Sequence, residues 1–142
     1  MPAPAYDDGN IFARILRGEL PSARVMEDDH VVAFMDVMPQ GPGHTLVVPR
    51  AASRNILDID PQALSQAILA VQRIARAAKA AFDAPGVLVM QFNEPAAGQT
   101  VFHTHFHVIP RFAGVELRAH EGGMADPAML AEHAARIRAA LD

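Results

Sequence analysis

The stretch HTHFHVIPR, from His103 to Arg111, places a histidine at every second position three times in succession. Side chains of a β-strand alternate between its two faces, whereas helical residues rotate by about 100° at each step. Only a strand therefore collects the three imidazoles on one face while Phe106 and Val108 pack on the other. The spacing predicts a strand over residues 101–109, with one apolar face and one histidine face.

Capping residues and apolar periodicity predict the remaining elements. Asp60 and Asp126 each precede a proline at the start of a helical apolar stripe, a pattern typical of helix N-termini. The predicted helices cover residues 11–17, 61–82 and about 127–141, and the predicted strands cover residues 24–27, 30–35, 44–49, 87–92 and 101–109. Because short turns join consecutive strands, we expect a single α+β domain over residues 1–142, with a mostly antiparallel sheet of about five strands and helices packed on one side.

The composition limits the classes of function. The chain has 142 residues, no cysteine and a net charge of -4. The absence of cysteine excludes disulfides and thiolate chemistry, and no basic run is present to follow a nucleic-acid backbone. The N-terminus has no signal-peptide pattern, and no apolar run is long enough to cross a membrane. We expect a cytoplasmic protein that binds neither nucleic acid nor membrane.

Three interpretations of the histidine face remain open, of which chance placement on a half-exposed strand is the simplest. A shared metal ion is the second. Histidines at i and i+4 lie about 13 Å apart on a straight strand, at roughly 3.3 Å per residue, whereas zinc–nitrogen bonds are about 2.1 Å long. One strand therefore cannot supply all three ligands, and another residue such as His44 would have to join them.

Chemistry at a phosphate is the third interpretation. Neutral imidazole is a competent nucleophile near pH 7, because its reference pKa is about 6.5. Attack on phosphorus gives a covalent phosphohistidine, which divides one difficult displacement into two easier ones. Neighbouring histidines can orient the nucleophile and move protons. The loop before the strand, with Gly98, Gln99 and Thr100, offers backbone N–H groups, an amide and a hydroxyl to phosphate oxygens.

The histidine motif and the segments before it resemble the histidine triad (HIT) family of nucleotide hydrolases and transferases, whose pattern is His-x-His-x-His followed by apolar residues. NEPAAGQTVFHTHFHVIPR resembles the family's asparagine-to-triad block. GNIFARILRGELPSARVMEDD and VAFMDVMPQGPGHTLVVPR resemble earlier segments of its Hint-like bacterial members. The resemblance covers most of residues 10–111. It implies a HIT-like fold, a homodimer that pairs its sheets, and chemistry that needs no metal or other cofactor.

The roles of the site residues are carried over from this resemblance position by position. His105 would be the nucleophile, and His107 would contact the phosphate and help to protonate the leaving group. His103 and His44 would orient the site and relay protons. The phosphate-binding residues would be Asn93, Gly98, Gln99 and Thr100. The nucleoside-binding residues would be Ile11, Phe12, Ile15, Phe34, Asp36 and Val37, with Asp36 on the ribose hydroxyls.

The resemblance also implies an activity. It is that of a hydrolase or nucleotidyl transferase that cleaves at the α-phosphate of purine nucleotide conjugates, such as phosphoramidates or aminoacyl adenylates, and releases a nucleoside monophosphate. A dinucleoside polyphosphate hydrolase is the alternative within the family. A nucleotide-binding protein with little turnover is the alternative outside it. His30, His120 and His133 match no motif and are predicted to be surface residues.

Overall fold

The computed structural model describes residues 4–120 and 122–142, and within this range it has one five-stranded antiparallel sheet and three α-helices. The elements in chain order are α1 (Ile11–Leu16), β1 (Arg24–Glu27), β2 (Val31–Met35), β3 (Thr45–Pro49), α2 (Pro61–Ala81), β4 (Gly86–Met90), β5 (Phe106–Arg111) and α3 (Pro127–Ala140). The strand order is β1-β2-β3-β5-β4, and every neighbouring pair is antiparallel. The predicted α+β class and antiparallel sheet are confirmed. None of the helices in the described ranges is both long and apolar enough to cross a membrane.

Capping chemistry sets the starts of the two long helices. The carboxylate of Asp60 accepts hydrogen bonds from the N–H groups of Gln62 at 3.0 Å and Ala63 at 3.2 Å. Pro61 takes the first helical position, where no N–H partner is needed. Asp126 caps α3 in the same way. The predicted starts of both helices are therefore confirmed.

The two long helices pack on one face of the sheet, as expected. That core includes Val31, Ala33, Met35, Val47, Ile74, Phe106, Val108 and Ile137. The short helix α1 is the exception, because it packs on the opposite face. There Phe12 and Ile15 contact the other alternation set of the central strands, which comprises Val32, Phe34, Leu46 and Val48. Strands β2 and β3 are consequently buried on both faces.

The predicted histidine strand is wrong over its first half. Strand β5 begins at Phe106, and residues 101–105 lie outside the sheet. The ladder between β3 and β5 ends where β5 begins. Beyond that point the N–H of Thr104 donates to the carbonyl of Ser53 at 3.0 Å, in the loop that follows β3. Of the three triad histidines, only His107 is therefore placed by strand geometry.

After β5 the chain crosses over the loop between β2 and β3. The N–H of Arg118 donates to the carbonyl of Gln40 at 2.8 Å, and the side-chain amide of Gln40 donates back to the Arg118 carbonyl at 3.2 Å. The N–H of Ala125 donates to the carbonyl of Val37 at 2.9 Å. We call residues 112–120 and 122–125 the crossing segment, because these bonds hold it across the β2–β3 loop.

Gly43 lies in the turn that leads into β3, and its lack of a side chain is required there. Its φ is +79°, and a Cβ would lie 2.7 Å from a ring carbon of Phe82. That ring cannot easily move, because the Arg136 guanidinium lies over it and His133, predicted to be a surface residue, is partly buried against its edge. Gly18 has the same φ of +79° but open space around the Cβ position.

We predict that Gly43→Ala destabilises the protein more than Gly18→Ala does. Both substitutions strain the left-handed backbone by about 1 kcal/mol. Only Gly43→Ala also overpacks a fixed ring, which costs about 1–3 kcal/mol more. Urea denaturation monitored by circular dichroism measures both free energies of unfolding. Equal losses for the two variants would contradict this packing analysis.

Candidate active site

A hydrogen bond between two buried histidines lies at the centre of the site. His44 immediately precedes β3, and His107 lies on β5 opposite Leu46 of β3. The Nε2 atom of His44 lies 2.9 Å from the Nδ1 atom of His107. The two residues are only 0% and 5% exposed. Since every buried side-chain nitrogen and oxygen of the described residues has a hydrogen-bond partner, the pair is held in one arrangement.

The backbone determines which nitrogen of each ring carries the proton. The N–H of Gln40 lies 3.0 Å from Nδ1 of His44. A backbone N–H can only donate, so Nδ1 accepts and the proton of neutral His44 is on Nε2. That proton is donated to Nδ1 of His107, which leaves the proton of neutral His107 on its own Nε2. The hydrogen-bond network thus assigns a relay of fixed direction that ends in an N–H donor.

His105 is fixed in the opposite tautomer. Its Nδ1 lies 2.6 Å from the carbonyl oxygen of His103. A carbonyl can only accept, so the proton is on Nδ1 and the lone pair is on Nε2. The His103 ring is anchored in turn, because its Nε2 donates to the carbonyl of Pro49 at 2.7 Å. The ring centroids of His105 and His107 lie 5.1 Å apart. The His105 ring with its lone pair and the His107 ring with its N–H donor are therefore neighbours.

Burial keeps the four imidazoles neutral. It lowers the pKa of His107 to about 2, with a further contribution from the neighbouring histidines. It lowers the pKa of His44 to about 4, although the Asp36 carboxylate partly opposes this effect. Burial also lowers the pKa of His103 and of His105. All four rings are therefore in the neutral form at pH 7, which the assigned tautomers require.

The site opens into a cleft of about 410 Å³. Two triad histidines, the loop before the triad and the crossing segment contribute to it. The lining residues are Gln40, Phe92, Gly98, Gln99, Thr100, His105, His107, Ala119 and His120. A bound group in this cleft would therefore contact the lone-pair histidine and the donor histidine at the same time.

Gln99 lines the cleft, but its amide serves the protein itself. Its Oε1 accepts from the side chain of Asn55 at 3.0 Å and from the N–H of Glu94 at 2.8 Å. Its Nε2 donates to the carbonyls of Arg54 at 2.7 Å and Val101 at 3.0 Å. A carboxamide has two donors and two acceptor positions, and all four are used. Gln99 consequently fixes the shape of the loop.

The other predicted phosphate residues have different surroundings. Thr100 is exposed and lines the cleft, so its hydroxyl can reach a bound group. Gly98 also lines the cleft and has a φ of 97°, which glycine adopts without strain. The Asn93 side chain bonds to the Gln91 side chain at 2.7 and 2.8 Å and accepts from the N–H of Ile56 at 2.9 Å. Three of the four predicted phosphate residues thus line the cleft, and Asn93 does not.

A bidentate ion pair between Arg54 and Glu94 stabilises the loop that precedes the triad. The guanidinium of Arg54 donates to the carboxylate of Glu94 at 2.8 and 3.1 Å and lies over the ring of Phe102, 4.1 Å from its centroid. This hydrogen bonding lowers the pKa of Glu94. Glu94 has a φ of 77°, an uncommon value for a residue with a side chain. The ion pair therefore holds a strained turn directly before the cleft residues.

The predicted nucleoside-binding residues are divided by the fold. Phe12, Ile15 and Phe34 are buried in the core beneath α1, and the ring of Phe12 stands edge-on to His105 at 4.8 Å. Ile11 and Val37 are 46% and 39% exposed. None of the nucleoside set belongs to the lining of the cleft within the described residues.

Asp36 connects the histidine pair to the crossing segment. Its Oδ1 accepts from the N–H of Met38 at 2.9 Å. Its Oδ2 lies 3.3 Å from Nε2 of His120 and 3.4 Å from Nε2 of His44. The crossing segment brings His120, which was predicted to be a surface residue, to the cleft, where its side chain is 34% exposed and its ring lies 6.0 Å from that of His107. No motif marks this residue, since only the path of the chain after β5 places it there.

Asp36, His44 and His107 offer ligand atoms within 4.8 Å of one another, a spacing compatible with a metal ion. An imidazole nitrogen binds a metal through its lone pair. The Gln40 N–H instead keeps the proton of His44 on Nε2, the atom that would have to face the metal. Moving that proton to Nδ1 would point two N–H donors at each other. The donor chemistry therefore suits a proton relay better than a metal centre.

The fold and site define a small α+β protein in which the sheet and the segment before β5 together hold a hydrogen-bonded set of histidines at a cleft. The HIT domain family model matches residues 17–114, and the chain belongs to the histidine triad family. Protein hit of Bacillus subtilis (strain 168) is 42% identical over 102 residues, which are 72% of this chain and 70% of that protein. The predicted family is thereby confirmed.

Solved structures agree with this assignment. The crystal structure of a Hit-like protein from Bartonella henselae has a TM-score of 0.91 and 57% sequence identity, and the match covers 96% of this chain and 100% of that chain. A hypothetical histidine triad nucleotide-binding protein from Sulfolobus tokodaii has a TM-score of 0.83 and 28% identity, covering 91% of this chain and 89% of that chain. Nearly all of this chain therefore has a structural counterpart in the Bartonella henselae protein.

We predict that stability falls as the pH is lowered from about 6.5 towards 4. Unfolding returns the buried histidines to a pKa of about 6.5, whereas folding lowers their pKa, to about 4 for His44. In this window the unfolded chain binds more protons, so each such group weakens folding by up to about 1.4 kcal/mol per pH unit. Thermal melts from pH 7.5 to 5 measure the slope.

Variants identify the source of that slope. His44→Phe removes one buried imidazole and should make the dependence of the unfolding free energy on pH shallower. His30→Gln, at an exposed position, is the matched control for the loss of an imidazole from the surface. A wild-type stability that is constant between pH 7.5 and 5 would contradict the neutral buried state.

Proposed function

We propose that this protein is a nucleotide hydrolase or nucleotidyl transferase that cleaves at the α-phosphate of purine nucleoside phosphoramidates or aminoacyl adenylates. The observation that carries the proposal is the fixed pair of opposite tautomers at one cleft. His105 has its lone pair on Nε2, and His107 has its proton on Nε2. Membership of the family, and the description of the S. tokodaii relative as a nucleotide-binding protein, support a nucleotide as the ligand.

In the first step on a phosphoramidate, Nε2 of His105 attacks the α-phosphorus and a P–N bond forms as the bond to the leaving nitrogen breaks. The leaving nitrogen takes the proton from Nε2 of His107. Positive charge on the phosphorylated His105 ring offsets the negative charge left on the His44–His107 pair. In the second step a water attacks phosphorus and returns a proton to His107. The P–N electrons then return to His105, and the nucleoside monophosphate leaves.

The loop before the triad supports this reaction from the phosphate side. The Thr100 hydroxyl lines the cleft next to the two reacting histidines and can donate to a phosphate oxygen. Gly98 allows the backbone to approach an anion closely. Gln99 and the Arg54–Glu94 pair hold this loop in position, which avoids reorganisation when charge develops in the transition state.

The nucleoside end of the substrate lies on the α1 side in this proposal. Phe12 already contacts the His105 ring, and the exposed side chains of Ile11 and Val37 offer apolar surface for a base. The ribose hydroxyls bind Asp36 by replacing its 3.3 Å contact with His120. A second copy of the chain would pair along the edge strand β4, and sedimentation equilibrium at twice the 15.3 kDa chain mass would support that arrangement.

Intact-protein mass spectrometry after rapid mixing with an adenosine phosphoramidate tests the covalent step. The wild type should acquire a transient adduct of one nucleoside monophosphate and release AMP. His105→Ala should lose the adduct and lower the AMP release rate by about 10³-fold or more, because the nucleophile is missing. His30→Ala, an exposed histidine, should behave as the wild type. Equal AMP release by wild type and His105→Ala would rule out His105 as the nucleophile.

The role of His107 is tested by changing the leaving group. His107→Ala should lower kcat on the phosphoramidate by about 10²–10⁴-fold, the usual contribution of general acid catalysis. A nitrophenyl ester of AMP releases nitrophenolate, a leaving group that needs no proton. His107→Ala should therefore lose far less activity on this substrate. An equal loss on the two substrates would assign His107 to phosphate binding rather than to proton donation.

A further inference from the structure

The irregular segment Val101–His105 needs anchors that a strand would not need. No ladder hydrogen bonds fix its backbone, because the pairing of β3 with β5 ends at Phe106. One anchor is Thr104, whose N–H donates to the Ser53 carbonyl and whose hydroxyl lies 2.7 Å from the Ser53 hydroxyl. A second anchor is the His103 side chain. The aim of the adjacent His105 ring depends on these contacts, since its Nδ1 donates to the His103 carbonyl.

Tyr6 reaches the His103 ring from the segment before α1, 97 residues away along the chain. Its hydroxyl lies 2.5 Å from Nδ1 of His103, and the two rings meet edge to face at 5.7 Å. Nε2 of His103 donates to the Pro49 carbonyl, so Nδ1 must accept and the phenol must donate. The side-chain amide of Asn10 donates to the same phenol oxygen at 3.0 Å. The His103 ring is thus held at both of its nitrogens.

We propose that Tyr6 is a positioning residue for the nucleophile: its hydroxyl fixes the His103 ring, and the His103 carbonyl then holds the His105 ring with Nε2 towards the cleft. This inference rests on the proposed function, because it concerns the alignment of the same reaction. On this basis the segment before α1, which contains Tyr6, contributes to the site. Burial raises the pKa of the Tyr6 phenol, which keeps it a donor at neutral pH.

The substitution Tyr6→Phe separates this role from simple packing. Phenylalanine keeps the ring and its edge-on contact with His103 and removes only the hydroxyl. A residue that merely fills space would tolerate the change. A residue that fixes the His103 ring through a hydrogen bond would not, since Nδ1 would lose its donor. Asp8→Asn, at an exposed neighbouring position, is the control for general effects on the N-terminal segment.

Two measurements on the full-length protein decide the matter. The first is kcat and KM on an adenosine phosphoramidate, where Tyr6→Phe should lower kcat about 5–10-fold, the effect of one lost hydrogen bond, with KM within about two-fold of the wild type. The second is the ¹⁵N resonances of the histidine rings in the nucleotide-free protein. Tyr6→Phe should shift Nδ1 of His103 and also the ring signals of His105. Asp8→Asn should change neither result.

A double-mutant cycle completes the experiment. In a His103→Gln background, Tyr6→Phe should have no further effect on kcat, because the contact through which it acts is gone. A wild-type kcat in Tyr6→Phe, or unshifted His105 resonances in that variant, would overturn the proposal. If the wild-type protein shows no turnover of the phosphoramidate, the proposed function fails. The His105 resonances of nucleotide-free Tyr6→Phe then decide the positioning role alone, and unshifted signals overturn it.

Discussion

The hydrogen bond from the backbone N–H of Gln40 to Nδ1 of His44 sets the direction of the proton network on which the site depends. A side-chain partner could rotate or change its protonation state, whereas a backbone N–H can only donate. The loop that supplies it is closed on itself, since the N–H of Asp36 donates to the His44 carbonyl at 3.0 Å. The crossing segment adds a further constraint, because the backbone of Arg118 hydrogen-bonds to both the backbone carbonyl and the side-chain amide of Gln40. The conformation of the β2–β3 loop therefore fixes the tautomers of both His44 and His107, and so places a proton on Nε2 of His107 at the cleft.

Burial and hydrogen bonding act together in this arrangement. The four imidazoles are buried, and buried polar groups are tolerated only when their polar atoms are paired. Pairing one nitrogen of a ring with a partner of fixed type also selects the tautomer of that ring. The same contacts that make the buried histidines acceptable thus leave a lone pair on His105 and a proton on His107 at the cleft. The same hydrogen bonds therefore stabilise the buried rings and set their tautomers.

The sequence predicted most of the fold because its strongest signals are local. Proline and aspartate at the starts of α2 and α3 act within one helical turn, and short apolar runs bounded by turn residues identified most of the strands. The order of the strands in the sheet and the position of α1 on the opposite face depend on tertiary packing, which no local pattern encodes. The family resemblance, rather than periodicity, supplied the histidine roles.

The sequence predicted only part of the candidate site, again because local patterns do not encode tertiary packing. The prediction of a strand over residues 101–105 was wrong, because the Thr104 N–H and the His103 ring bond to the carbonyls of Ser53 and Pro49 and not to a neighbouring strand. Gln99 was predicted to bind phosphate, but its side-chain amide makes all of its hydrogen bonds within the protein. Tyr6 and His120 gave no signal, since each reaches the histidines only through long-range packing. Short motifs identify reacting groups, whereas the residues that orient those groups emerge from the three-dimensional structure.

The most direct test of the account is the protonation state of the histidine rings at pH 7. Long-range ¹H–¹⁵N correlation spectra of uniformly ¹⁵N-labelled protein distinguish the two neutral tautomers from the imidazolium ion. Single His→Gln variants provide the assignments. We expect neutral rings at His44, His103, His105 and His107, with the proton on Nε2 of His44 and His107 and on Nδ1 of His105. A proton on Nδ1 of His44, or an imidazolium at His107, would contradict it.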